Sequence, residues 1–181
     1  MIAPRKTLWS TPKAVVEQAI AWCGPLQSND CVCDIGCGDG RCLIQWATQY
    51  SSTLSQNGDT AATASFIGIE IDAERIEQAK RSWQQAVENG QVDARIQVEF
   101  HCKNALEAFE IFCRASVIFL YLIPRGLRQI KPLLLQAQKP MQVITYMSPL
   151  PDETPIHNAC VRVPHQPNAE WPVFAYKLNA S

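Results

Sequence analysis

The sequence of 181 residues has no run of 18 or more apolar residues, so no transmembrane helix is expected. Its N-terminus lacks the apolar core of a secretory signal. Arg5, Lys6 and Lys13 precede the first acid, Glu17. A helix starting near Thr11 leaves little to cleave, so these bases read as part of the domain and not as a presequence. Charge of one sign is not in excess. The formal net charge of −1 gives no long-range pull toward nucleic acid or an anionic membrane. The eight cysteines (Cys23, Cys31, Cys33, Cys37, Cys42, Cys102, Cys113 and Cys160) include no Cys-x-x-Cys pair. With no secretory context either, reduced thiols are expected and no metal site. The expected location is cytoplasmic, with a mitochondrial one as the alternative. Histidine is scarce. His101, His157 and His165 are bases in principle, and each reads better as a surface or satisfied group. Glycine is scarce as well, at 8 residues, yet three of them are Gly36, Gly38 and Gly40.

What is present is an ordinary globular composition, 47% apolar and 18% charged, of a length that suggests one domain over 1–181. Thr11-Pro12 reads as a helix start, with Thr as cap and Pro at the first helical position. Val15, Val16, Ala19, Ile20 and Cys23 follow at helical spacing, and Gly24-Pro25 ends the run. Cys31 to Ile35 reads as a buried strand entering a glycine turn, and Arg41 to Gln49 as the next helix. The polar stretch 51–64 reads as a flexible insertion. Phe66 to Ile71 is a second strand. Asp72 then caps a helix striped by Ile76, Ala79, Trp83, Ala86 and Val87, which Asn89-Gly90 stops. Arg95 to His101, Val117 to Leu122 and Gln142 to Met147 read as further strands. Pro124 opens a helix carrying Leu127, Ile130, Leu133 and Leu134. Asn158 to Val163 and Pro172 to Leu178 close the chain as an antiparallel hairpin. Strand–helix alternation ending in a hairpin argues for an open α/β sheet.

The chemistry concentrates in Asp34-Ile35-Gly36-Cys37-Gly38-Asp39-Gly40, between a strand and a helix. Glycines let the backbone turn tightly and approach a ligand with no Cβ in the way. The next strand ends in Gly68-Ile69-Glu70, where a carboxylate accepts both hydroxyls of a ribose in dinucleotide-type folds. Asp34 and Glu70 lie 36 positions apart, against about 20 in such units. Setting aside the 14 residues 51–64 leaves 22, so the two halves fit one βαβ unit. Asp39 inside the loop repels a pyrophosphate and suits a cofactor bearing a sulfonium and an amino group, which favours S-adenosylmethionine over NAD.

The pattern Asp34-x-Gly36-x-Gly38-x-Gly40, then Gly68-x-Glu70, then Lys103-Asn104-Ala105-Leu106 resembles the class I S-adenosylmethionine-dependent methyltransferases over nearly the whole chain. The resemblance implies a Rossmann-like seven-stranded sheet, mostly parallel with a C-terminal antiparallel hairpin. It also implies that Asp34, Gly36, Cys37, Gly38, Asp39 and Gly40 line the methionine part of the cofactor. Glu70 and Ile71 then lie at the ribose, and Asn104 and Ala105 at the adenine, with S-adenosylhomocysteine as product. Ser10-Thr11-Pro12, Asp34 to Arg41, and Leu120-Tyr121-Leu122-Ile123-Pro124 with Leu127 resemble a narrower family. That family includes the ATP synthase c-subunit and adenine nucleotide translocase lysine methyltransferases, so it implies a protein lysine as acceptor. Methyltransferases acting on amide or base nitrogens often carry Asn/Asp-Pro-Pro-aromatic after the fourth strand. Tyr121-Leu122-Ile123-Pro124 stands there instead. Tyr121 and Trp9 are the candidates to border the transferred methyl, Tyr121 being also a cofactor-binding candidate, with a core role for each as the alternative. Asp152 and Glu153 are candidates to attract a basic substrate, with a solvated loop as the alternative. An RNA or small-molecule acceptor, or a non-catalytic cofactor-binding subunit, remains the competing reading. Nucleic acid is the less favoured partner.

Overall fold

The structure is a computed structural model that describes residues 10–57, 63–163 and 166–180. Its elements run α1 (Lys13–Cys23), β1 (Cys31–Ile35), α2 (Arg41–Asn57), β2 (Ser65–Glu70), α3 (Ala73–Glu88) and β3 (Gln97–Cys102). A short 3-10 turn (Ala105–Glu107), α4 (Phe109–Phe112), β4 (Val117–Leu120), α5 (Pro124–Gln136), β5 (Met141–Tyr146), β6 (His157–Val163) and β7 (Gln166–Leu178) follow. The strands form one seven-stranded sheet in the order β3-β2-β1-β4-β5-β7-β6. β1 to β5 pair in parallel, and β7 runs antiparallel between β5 and β6. The expected architecture is therefore found.

All five residues of β1 and all four of β4 are buried, as sheets covered on both faces require. Successive side chains point to opposite faces. Val32, Phe66, Phe119 and Ile144 pack under α1, α2 and α3, in one apolar layer with Trp46 and Trp83. Cys33, Ile67, Ile118 and Val143 pack on the other side with Ile111 and Phe112 of α4 and Leu127, Ile130 and Leu134 of α5. Fully burying one such side chain contributes about 1.5–3 kcal/mol, so the two layers hold the central strands rigidly. The chain order reverses between β1 and β4. Ligands in open α/β sheets bind at the carboxyl ends of the strands at such a switch point.

Three local expectations are corrected. Pro12, not Thr11, is the N-cap of α1 and offers no side-chain cap; Thr11 is buried. The stretch 51–64 is not an irregular insertion throughout: α2 continues to Asn57. Leu54 joins the core there, and Ser51 donates its hydroxyl to Ala47 O at 2.7 Å while accepting from the Asp93 N–H at 2.9 Å. β7 begins at Gln166 rather than Pro172, because its first half pairs with β6, Trp171 opposite Val161 and Glu170 opposite Arg162.

Candidate active site

The β1–α2 loop folds back at the carboxyl end of β1. Gly36, Gly38 and Gly40 all take positive φ, at 82°, 55° and 79°, a region that L side chains enter only at a cost. The Gly36 and Cys37 N–H groups donate to Ile69 O at 2.8 and 3.0 Å. Glu70 is the second anchor. Its Oε2 accepts from the Gly38 N–H at 3.2 Å, and its Oε1 accepts from the Ile71 and Asp72 N–H groups at 2.8 and 3.2 Å. One carboxylate thus joins the glycine loop to the turn that opens α3.

Asp34, Asp39 and Glu70 are all buried. Burial pushes the Asp34 carboxyl up to about 7, and the negative charges of Glu70 and Asp39 add to the effect. A site that resists ionising its own acid is one that accepts a cation. Asp39 behaves differently. Burial alone raises it, but the hydrogen bonds and charge of Arg41 outweigh that and hold it below the ordinary carboxylate value. Arg41 Nε lies 2.9 and 3.0 Å from the two Asp39 oxygens, and Nη2 closes the fork. Arg41 thus already neutralises Asp39, which does not meet the cofactor as the free charge its place in the loop suggests. Burial also pushes the Cys37 thiol well up, with Asp34 next in effect, so this thiol is a protonated wall of the loop and not a nucleophile.

Ser10, Thr11, Arg41, Cys42 and Tyr121 complete the pocket around Asp34 and Gly36–Asp39. Of these only Tyr121 was expected as a site residue. Ser10, Thr11 and Arg41 stand in the stretches that resemble the narrower family but carry no predicted site role there, and they and Cys42 reach the pocket through the fold. Tyr121 is half-buried, and its ring centroid lies 4.6 Å from that of Tyr146. Tyr146 is buried, and burial, then Tyr121, pushes its hydroxyl up to about 12. Trp171 lies 6.4 Å beyond Tyr146.

The other predicted residues are placed as follows. Ile71 stands just past β2, within reach of the exposed Cys102, whose Sγ lies 3.8 Å from Ile71 O. Asn104 caps the 3-10 turn, its side-chain oxygen accepting from the Leu106 N–H at 3.1 Å, which leaves one lone pair and the amide donors for a ligand. Ala105 opens that turn. Trp9 and His165 fall outside the described residues. His101 sits 3.0 Å from Glu99 on β3, and His157 stacks on Trp22 at 5.6 Å, so neither lines the pocket. Glu153 pairs with Lys131 at 2.9 Å, and Asp152, almost fully exposed, lies 3.9 Å from the same ammonium, which fits the solvated-loop alternative. Gly68, legible in the sequence only as part of the Gly68-x-Glu70 pattern, has a packing role besides. A Cβ there would lie 2.7 Å from the Phe100 ring and 2.8 Å from Cys37 Sγ, so a bare backbone at β2 is what lets the glycine loop sit down.

A seven-stranded sheet in this order, with a glycine loop and a ribose-type acid flanking its switch point, defines an S-adenosylmethionine-dependent methyltransferase. A methyltransferase-domain family matches residues 26–120, and the chain belongs to it. A comparison with curated protein sequences finds no match. Among solved structures, an RNA methyltransferase from Salinibacter ruber in complex with S-adenosyl-L-homocysteine is 24% identical with a TM-score of 0.73, over 96% of this chain and 95% of that one. The rRNA methyltransferase aviRa from Streptomyces viridochromogenes is 10% identical with a TM-score of 0.65, over 97% and 88%. A putative rRNA-methylase from Clostridium thermocellum is 12% identical with a TM-score of 0.60, over 95% and 100%. The residues present fit the cofactor: three positive-φ glycines leave room against the backbone, and the buried Asp34 has no cationic partner among the described residues.

Proposed function

We propose that this enzyme methylates the side-chain amine of a lysine in a protein substrate. Tyr121 carries the reading. Its half-buried ring walls the pocket beside Gly36–Asp39 and is backed by Tyr146. An aromatic face attracts a cation, and its apolar body packs a lysine stem.

When bound, the cofactor supplies an electrophilic methyl group on a sulfonium. The chain's residues bind and orient it. Gly36, Gly38 and Gly40 open the backbone, with Cys37 as wall. Asp34 takes the cationic end, and Asp39, fixed by Arg41, rims it. Glu70 and Ile71 hold the ribose edge, and Asn104 and Ala105 the adenine edge. No imidazole lines the pocket among the described residues. The lysine ammonium first gives its proton to solvent; the neutral amine then exposes its lone pair without a protein base, so in-line positioning and exclusion of water are what the protein contributes.

Tritiated cofactor incubated with cell protein, followed by hydrolysis and amino-acid analysis, tests this reading. Label is expected in methyllysine. Tyr121→Ala is expected to lower transfer about ten-fold or more at saturating cofactor. Label that is released by ribonuclease, or found in no protein, overturns the reading. RNA is the competing acceptor because the Salinibacter ruber protein acts on it by name. A net charge of −1 weighs against it.

A further inference from the structure

We propose that Arg125 and Arg128, at the start of α5, form a docking surface for an acidic segment of the protein that carries the acceptor lysine; the inference rests on the lysine reading above. Tyr121 walls the pocket, and α5 starts three residues later at Pro124. α5 buries Gly126, Leu127, Ile130 and Leu134, which turns Arg125 and Arg128 outward, and both are exposed. Residues three apart on a helix are surface neighbours, so the two guanidinium groups act together. Ile123, 42% exposed, stands at the N-cap beside them.

The charge arrangement points outward from the protein. Arg41, which lines the pocket, is engaged with Asp39; Arg75 pairs with Glu70 and Asp72, Lys103 with Glu110, and Lys131 with Glu153. Arg125 and Arg128 have no ion-pair partner among the described residues. They also stand at the positive end of the α5 dipole, and α5 has no acid in its first turn to offset them. Cations are unfavourable there, and an external anion relieves the conflict. A nucleic acid contacts its protein through many phosphates and calls for an array of bases. Two arginines on a chain of net charge −1 match a short run of carboxylates instead, which the guanidinium fork engages bidentately.

The test uses the full chain saturated with S-adenosylhomocysteine and two fluorescein-labelled peptides. Each carries one central lysine, flanked by glutamates in one and by glutamines in the other. The glutamate peptide is expected to bind about ten-fold tighter, with the advantage shrinking at high salt. The advantage is expected to vanish in R125Q/R128Q, whose affinity for S-adenosylhomocysteine is unchanged. Equal affinity for the two peptides, or an advantage that survives in R125Q/R128Q, overturns the proposal. A labelled single-stranded RNA that loses more affinity in R125Q/R128Q than the glutamate peptide does overturns it in favour of RNA. Tritium transfer is read separately. A glutamate peptide held by the arginines but never methylated on its lysine supports the docking surface and overturns the lysine reading.

Discussion

A methyl group added at position 68 meets the Phe100 ring at 2.7 Å and the Cys37 sulfur at 2.8 Å. Real Cβ atoms do not approach so closely, and β2 is held on both sides by β1 and β3. Gly68→Ala is therefore expected to destabilise the fold by about 1–3 kcal/mol through overpacking. It is also expected to weaken cofactor binding, because Cys37 moves with the loop. A urea midpoint equal to that of wild type would contradict this. Legibility at the residue scale divides at this position. Asp34, the loop glycines and Glu70 were readable because turn, glycine and acid lie in one short-range pattern. Gly68, Ser10, Thr11 and Arg41 stand in recognisable patterns, but their roles were not readable, because what gives each its role is a neighbour brought close only by strand pairing or helix packing. Asp39 was read correctly as a loop acid but wrongly as a free one, since the Arg41 side chain folds back on it.

At the scale of elements, α3 is the clearest link from sequence to structure. Asp72 Oδ1 accepts from the Glu74 and Arg75 N–H groups at 2.9 and 3.3 Å. Asp72→Ala is expected to cost about 1 kcal/mol, the usual contribution of such a cap. Chemical denaturation checks it, and a loss under about 0.3 kcal/mol would indicate that backbone or water replaces the cap. The strand order and the helix stripes were legible because apolar periodicity is strong in β1, β4 and α3. The second half of α2 was not. Ser51, Ser52, Thr53 and Ser55 look like a loop, yet each donates its hydroxyl to the carbonyl four residues back, and Leu54 docks in the core. Tertiary packing overrides weak helix propensity at that point. The early start of β7 was hidden by Pro172, which lacks an N–H. It is tolerated because β5 pairing ends at Tyr146 opposite Val173.

On the scale of the whole molecule, the buried acids make stability and binding depend on pH in opposite directions. Asp34 is pushed up to about 7 in the folded chain, whereas an unfolded Asp titrates near about 4. Between those values the folded state binds the extra proton. Its contribution is complete below about pH 4 and is lost as pH rises through about 7. Accommodating a cationic ligand requires the ionised form. The thermal stabilisation added by S-adenosylhomocysteine is therefore expected to grow from pH 6 to 8 in wild type and to stay flat in Asp34→Asn. A flat wild-type profile would contradict the role given to Asp34. Glu99 is held down to about 2 by Arg114, but it is largely exposed, so solvent screening leaves its opposite contribution small.

Glu70 joins the glycine loop to the turn that opens α3, and its carboxylate is the proposed partner of the cofactor's ribose. Calorimetric titration of S-adenosylhomocysteine into wild type and Glu70→Ala tests it most directly. One site per chain in wild type, with affinity weakened about ten-fold or more in Glu70→Ala, is the result predicted for a charged hydrogen-bonding partner. Absence of binding to wild type, or equal affinity in the two proteins, would contradict the site.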